Sequence, residues 1–386
     1  MRVTVHDEIA QIGHDEWNAV AGDEFPFLRH EFLLAAEETG CVSASSGWQA
    51  CHLALRHDDG SLRAALPLYE KYHSWGEFVF DWAWANAYEQ AGLNYYPKLV
   101  SAIPFTPACS KRLLLADAAD EDAADGLVQA AITLANEREC SSVHILFPTG
   151  DEAEKLGNIG LKIRKDCQFH WQNRGYADFD AFLSGFSSRK RKKARRDRRH
   201  VVEAGIRFRR LTGDALTPDV WQLVYPLISR TFMRRGSMPY YSLAFFEQIS
   251  KSLGDQLLIV MAEDRDGPVA AAIFFIGNDV LYGRYWGSIG HYNSLHFETC
   301  YYQGIDYCIE HGIGTFEPGT QGEHKISRGF LPTTTYSAHW LAQPAFFDAI
   351  GQYVSEEGRH VDRYMDAIDE HSPYRDDPDP DSEPSK

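Results

Sequence analysis

Residues Gln256–Trp286, QLLIVMAEDRDGPVAAAIFFIGNDVLYGRYW, decide the fold. Gln256–Ala262 and Val269–Ile276 read as two strands closed into a hairpin at Asp266-Gly267, and Val280–Trp286 follows as a third strand. A helix is expected over about Leu295–His311, closed by Gly312, and a short strand Gly314–Glu317 comes after it. Working outward, the same order stands in the first half of the chain. Trp48–His57 and Ser61–Tyr69 form a hairpin through Asp58-Asp59-Gly60, and Lys98–Ile103 is strand-like up to its proline-broken exit. Ala119–Glu139 carries Ala123, Leu127, Ala130, Ala131 and Leu134 at helical spacing, and Val143–Phe147 has a buried-strand pattern. A short helix and two more strand-like stretches end this half near Tyr176. Asp59-Gly60 and Ala64-Ala65 answer Asp266-Gly267 and Ala271-Ala272 at a constant offset of 207 residues. Element order and offset together predict a duplicated α/β domain.

The strand into which the second half runs opens a loop, Phe316-Glu317-Pro318-Gly319-Thr320-Gln321-Gly322-Glu323-His324-Lys325-Ile326-Ser327-Arg328-Gly329-Phe330-Leu331-Pro332. Two carboxylates, an imidazole, an ammonium and a guanidinium sit there among three glycines and two prolines. A solvated connection would gain at most about 1 kcal/mol from each ion pair. Loops that gather acids, bases and electrophiles more often carry chemistry.

The totals narrow the class. A chain of 386 residues with 44% hydrophobic residues can fill two cores, so two domains are expected. No apolar run is long enough to span a membrane, and Met1–Ala10 lacks the build of a signal peptide, which gives an expectation of a cytoplasmic protein without integral membrane segments. Seven cysteines without a C-x-x-C pair indicate neither a disulfide framework nor a zinc ribbon, and His291, His296 and His311 fit no metal-ligand spacing. No metal is expected.

Net charge is −17, yet Arg189–Arg199 holds nine Lys/Arg and one Asp, leaving −25 for the remaining residues. The segment reads as a helix, with Ser187 or Ser188 as its cap, Gly205 at its end, and Ala194 and Val201 as a narrow packing stripe. Such a helix repels itself, so an anion should lie against it. The candidates are an acidic surface of the same chain or a phosphate-rich ligand held by Arg189, Lys190, Lys193 and Arg196. The C-terminal part reads as one helix from Ala345 to about Ile368. The tail Ser372–Lys386, with four prolines and five acidic residues, is expected to be disordered.

The hairpin, helix and following strand resemble the GNAT acyltransferase fold, and the doubled form resembles the Fem-type peptidoglycan aminoacyl ligases. The Ser187-Ser188-Arg189-Lys190-Arg191-Lys192-Lys193 segment, Met238-Pro239-Tyr240-Tyr241, Leu295-His296-Phe297-Glu298, and Phe316-Glu317-Pro318-Gly319 running into Gly322-Glu323-His324-Lys325 are similar to the Fem-related (FemAB-like) GNAT family of bacterial proteins. The resemblance implies two tandem GNAT-like domains of class α/β, with mixed, mostly antiparallel sheets flanked by helices. They occupy 1–176 and 206–343, with connecting helices over 177–205, a C-terminal helix over 344–371 and the tail at 372–386.

N-acyl transfer is the implied activity, with amines of cell-wall precursors as the implied acceptors. Fem ligases place a lysine near the acyl ester. By that likeness Lys325 polarises the carbonyl, and Glu323, His324 and Glu317 are the candidates for the amine proton. Gln321, Arg328, Glu298, His296, Arg284 and Tyr285 are the expected substrate-binding residues. No tightly bound cofactor is implied; the co-substrate is acyl-CoA or aminoacyl-tRNA. Arg284–Gly290 is one residue too long for the usual pyrophosphate turn, which argues against a standard CoA site. Two alternatives remain, an acyl-CoA-dependent N-acetyltransferase of another amine, and a non-enzymatic RNA- or nucleotide-binding protein using the basic helix. The expected partner bears phosphate, as tRNA or a nucleotide-linked precursor does; DNA is not expected.

Overall fold

The computed structural model describes residues 2–320, 322–369 and 371–375. Gln321 and residues 376–386 of the acidic tail, both named above, lie outside them. The described strands form two sheets. The smaller has the order Arg2–His6, His52–Arg56, Leu62–Leu66, Leu114–Leu115. The larger has eleven strands and runs through both halves of the chain. Its order is Arg207–Leu211, Leu257–Asp264, Gly267–Ile276, Val280–Ser288, Thr315–Glu317, Lys162–Gln172, Leu331–Leu341, Ser142–Leu146, Lys98–Ser101, Tyr69–Lys71, Trp48–Ala50.

Each half contributes one parallel pair, in each case two strands separated by a helix. Lys98–Ser101 and Ser142–Leu146 flank the Glu121–Glu137 helix; Val280–Ser288 and Thr315–Glu317 flank Leu295–His311. The two hairpins also carry a register shift at matching places, Leu55/Arg56 and Ala262/Glu263, which preserves the offset of 207. The repeated plan is therefore visible in the pairing itself.

The halves are joined by exchange of strands. Leu331–Leu341 follows the polar loop and pairs with Lys162–Gln172 and Ser142–Leu146, while Trp171 and Gln172 pair with Phe316 and Thr315. Lys162–Gln172 is one continuous strand where two stretches were expected. It holds neither Gly nor Pro, and antiparallel partners along Leu331–His339 keep it straight. The first hairpin differs in the opposite sense. Each of its runs breaks, at Cys51 and at Pro67, so that Trp48–Ala50 and Tyr69–Lys71 enter the large sheet while the remainder stays in the small one. Pro67 has no N–H to continue the ladder, and the Cys51 N–H donates to Leu68 O across the corner (2.9 Å).

One apolar cluster spans both halves, with Phe27 against Phe275 (centroids 4.6 Å apart) and Phe32 against Phe245 (5.2 Å). The C-terminal helix covers Pro344–Asp369. Beyond it, the expectation of a tail disordered from Ser372 fails at its first residues. Tyr374 packs on Phe186 (5.1 Å) and donates to Gly329 O (3.0 Å), and Pro373 O accepts from the Ser187 N–H (2.9 Å). An aromatic residue in an otherwise polar tail had apolar area to bury.

Gly287 fixes how closely the Val280–Ser288 strand meets the Pro218–Met233 helix, because a Cβ there would stand 1.9 Å from the Leu227 carbonyl oxygen. Gly287→Ala should cost about 1–3 kcal/mol. It would be read as a lower urea midpoint at unchanged slope; an unshifted midpoint would contradict this packing.

Candidate active site

Two irregularities in the large sheet create an opening. Val280–Ser288 pairs in parallel with the following strand only through Val280↔Thr315, Leu281↔Phe316 and Tyr282↔Glu317. On its other edge the register passes from Phe274↔Gly283 to Ile273↔Tyr285, so Arg284 is the extra residue of a β-bulge. Gly283 keeps the two strands in contact until they part, since a Cβ there would meet Pro318 Cα at 3.2 Å. Beyond the split lies a cleft of about 300 Å³ walled by Phe105, Phe232, Tyr240 and Trp286, with Arg284 and His296 also facing it. A smaller space of about 80 Å³ adjoins it, sharing Arg284 and His296 and adding Cys300 and Tyr301. These last residues come from a π-helical turn, Glu298–Tyr302, inside the Leu295–His311 helix.

Lys325 sits in a 3₁₀ turn, Glu323–Arg328, bracketed by Gly322 (φ +111°) and Gly329 (φ +95°), both in backbone conformations that suit glycine. The turn sinks its side chain to 1% exposure. Its ammonium donates to the carbonyl of Gly319, a residue that lines the cleft. Among the described residues no carboxylate pairs with it, and burial, then the charge of Arg284, brings it down to about 7. Glu317 is buried on the adjoining strand, with Oε2 lacking a hydrogen-bond partner among the described residues. Burial raises its carboxyl to about 7 against the opposing pull of Arg284, the Cys109 N–H and Arg112. Arg284 lines the cleft, and its charge acts on both groups. Its Nε and Nη2 are buried without a partner among the described residues, as is the Tyr285 hydroxyl.

The other expected site residues fall into two groups. His296 faces the cleft beside Trp286, and burial pushes its ring down to about 4. His324 is on the surface, hydrogen-bonded to the Tyr301 hydroxyl (2.9 Å). Glu323 is exposed and points away from the cleft, accepting from the Tyr364 hydroxyl (2.9 Å). Arg328 and Glu298 hold the architecture. Arg328 pairs with Asp197 (2.8 Å) and lies over the Phe297 ring (3.3 Å), and Glu298 pairs with Arg198 (3.0 Å).

The basic helix spans Ser188–Glu203 and buries Ala194, Asp197 and Val201. The expected acidic surface of the same chain meets part of this charge. Arg198 pairs with Glu298 and Asp306, and Arg195 with Asp180, whereas Arg189, Lys190, Lys193 and Arg196 have no ion pair among the described residues.

Sequence reasoning did not find the aromatic wall. Phe105, from the first half, stacks on Tyr240 with ring centroids 4.8 Å apart and planes 9° apart. The proline-flanked exit at Phe105 and the Met238-Pro239-Tyr240-Tyr241 stretch were visible separately; only the fold brings them together. Arg284–Ser288 is strand, so the segment does not form a phosphate-cradling turn at a helix start. Among the described residues no cluster of His, Cys, Asp and Glu could hold a metal ion, and no helix is long and apolar enough to cross a membrane.

Several solved structures share this fold. FemX matches with a TM-score of 0.54 at 12% identity, over 91% of this chain and 100% of its own. The C-terminal domain of a putative lysylphosphatidylglycerol synthetase from Agrobacterium fabrum matches with a TM-score of 0.55 at 9% identity, over 90% and 97%. L-PGS from Bacillus licheniformis gives 0.51 at 10% identity, over 84% and 96%. No curated protein matches the chain. The family model described as peptidoglycan biosynthesis/recognition covers residues 8–376, and the chain belongs to this FemAB-like family of the GNAT fold.

Proposed function

We propose that the protein is an N-acyltransferase that passes an acyl or aminoacyl group to an amine in the cleft beside Lys325. The observation that carries this reading is a lysine 1% exposed, without a carboxylate partner among the described residues, whose ammonium is bonded to the carbonyl of Gly319, a residue of the cleft wall. In so dry a place an ammonium stabilises developing negative charge far better than it would in water. As the amine attacks the acyl carbonyl, the carbonyl oxygen gains charge, and Lys325 is the cation placed to meet it after release from Gly319 O. Glu317 takes the amine proton, directly or through one water. Of the three candidates it alone is buried at the strand split, and its acidity near neutrality suits that task. Collapse of the intermediate then expels the donor's ester or thioester oxygen or sulfur.

Support for the donor comes from the basic helix. Arg189, Lys190, Lys193 and Arg196, without an ion pair among the described residues, offer a cationic face to phosphate, while Arg284–Ser288 is occupied in a strand. These features favour aminoacyl-tRNA over acyl-CoA. FemX, the putative lysylphosphatidylglycerol synthetase domain and L-PGS share the fold, and the family description supports an amine of a cell-wall precursor as acceptor.

Lys325→Ala should lower kcat by about 10²-fold or more, with the urea midpoint showing that the fold is retained. A folded, fully active variant would remove Lys325 from the mechanism. The pH response follows from signs. Glu317 must be ionised, so activity rises as pH climbs through about 7; Lys325 must be protonated, so activity falls as pH climbs through about 7. Expressed per unprotonated amine, kcat/KM should trace a narrow bell centred near neutrality, and a profile flat from pH 6 to 9 would exclude this pairing of roles. For the helix, affinity for an unacylated tRNA transcript should fall steeply with salt. The Lys190→Glu, Arg196→Glu double variant should flatten the log–log slope by roughly 1–2. Tight binding with no salt dependence would refute a phosphate-binding role.

A further inference from the structure

We infer that the rim of the cleft is a docking surface for an anionic lipid bilayer, formed by two adjoining segments, 71–82 of the first half and 230–240 of the second. The first is folded with its polarity reversed. Its only carboxylates, Glu77 and Asp81, are buried, and both pair with the fully buried Lys98 (2.8 Å to Glu77). Four of its five large aromatic side chains face outward instead, with Trp75 68% and Phe80 58% exposed and Tyr72 and Trp82 also on the surface. A loop bathed in water ordinarily does the opposite. The segment is also firmly held. The Lys71 ammonium donates to Trp75 O (3.1 Å), Lys98 donates to the Ser74 hydroxyl (2.8 Å), and Trp75 meets Trp82 edge-on at 5.6 Å. The aromatics are thereby kept from folding back into the core, and an exposed apolar patch of this kind marks an interaction surface.

The second segment supplies the charge. It runs out of the end of the Pro218–Met233 helix, exposes Met233 and Met238, and carries Arg230, Arg234 and Arg235, all exposed and without an ion pair among the described residues. The chain holds 55 acidic residues in 386, yet 220–246 contains none, so no carboxylate of this stretch offsets the three guanidiniums. The two segments meet at the cleft. Phe78, the fifth aromatic of the first, and Tyr240 of the second both line it, with rings 6.1 Å apart, and the exposed Arg235 and Ser237 stand at its edge. Tryptophan and tyrosine concentrate where headgroups meet acyl chains, and an arginine beside an anionic surface is drawn to the phosphates. Aromatic and methionine side chains thus give an apolar anchor and the arginines an electrostatic one. The two together hold a peripheral protein on a bilayer more firmly than either does alone.

The test is co-sedimentation of the full-length protein with sucrose-loaded vesicles at moderate salt, without acyl donor or amine. Vesicles of phosphatidylcholine and phosphatidylglycerol in equal parts should bind it saturably, and phosphatidylcholine alone about tenfold more weakly. The Trp75→Ala, Phe80→Ala double variant should lower the partition coefficient about tenfold, as should Arg230→Gln with Arg234→Gln. On the protein with its native side chains, lipids brominated in the acyl chains should quench tryptophan emission, and Trp75→Phe should lose part of that quenching. No binding to the anionic vesicles would overturn the inference. So would binding that survives both double variants and is lost in the Lys190→Glu, Arg196→Glu variant, because attachment would then belong to the basic helix. A native dimer that Trp75→Ala with Phe80→Ala dissociates would give the face to a second copy of the chain and overturn it as well. Lys325→Ala should bind vesicles as the unaltered protein does, so the docking and the acyl-transfer reading fail separately.

Discussion

The buried ion pair between Asp197 and Arg328 is the constraint on which the site depends. Asp197 is the one acid within Arg189–Arg199, and it is turned inward, where it accepts from Arg328 (2.8 Å) and from the Tyr302 hydroxyl (3.1 Å). Arg328 in turn donates to His324 O (2.8 Å) and covers the Phe297 ring. One pair thus ties the basic helix, the π-helical turn and the polar loop together. Taking charges out of water is expensive, and such a pair is weak evidence of stability in itself. Its value here is geometric, because loss of either partner would strand a buried charge at about 3–5 kcal/mol. The loop is thereby held to one arrangement.

That fixed arrangement is what allows Lys325 to remain buried. Three residues before Arg328, it is carried inward by the same 3₁₀ turn and satisfies one of its protons on Gly319 O. A surface lysine would keep its ammonium in water and its usual basicity. Here the backbone leaves it no exit, so burial and Arg284 act on it together. The sheet contributes the other half of the arrangement. Parallel pairing that ends at Tyr282↔Glu317 and a bulge that ejects Arg284 place two ionisable groups where regular strands would have placed hydrogen-bonded backbone.

Much of this was legible because it is local. Glycine at Gly205 (φ +73°) and Gly312 (φ +69°) ends the two helices as their position in the sequence indicates, and Ala194 and Val201 do form the packing stripe of the basic helix. The repeat at 207 residues led to the two hairpins with their matching register shifts. Non-local features were not legible. Leu331–Leu341 contains the run Thr333-Thr334-Thr335-Tyr336, a fair strand signal, but nothing in it says that its partners lie 161–199 residues earlier. The π-helical turn leaves the apolar spacing of its helix unbroken. Arg284 reads as one residue of a strand, and its role follows from a bulge set by the neighbouring strand's register.

The two halves differ at the point where their parallel strand pairs end. In the first half, the parallel pair ending at Ser101↔Ile145 is followed by chain that is fully engaged: the Ser110 N–H donates to Phe147 O (3.1 Å), and the Phe147 N–H to Tyr336 O (3.0 Å). Glu152, just after this strand, spends its carboxylate on the N–H groups of Arg112 and Leu113 (2.7–2.9 Å). In the second half the strand pair is followed by Pro318, which has no N–H to give, and then by Gly319, whose carbonyl is held by Lys325. The first repeat is stitched closed by its own backbone and lends Phe105 to its neighbour's wall. The second is left unstitched at the same point by a proline, a bulge and a captive lysine.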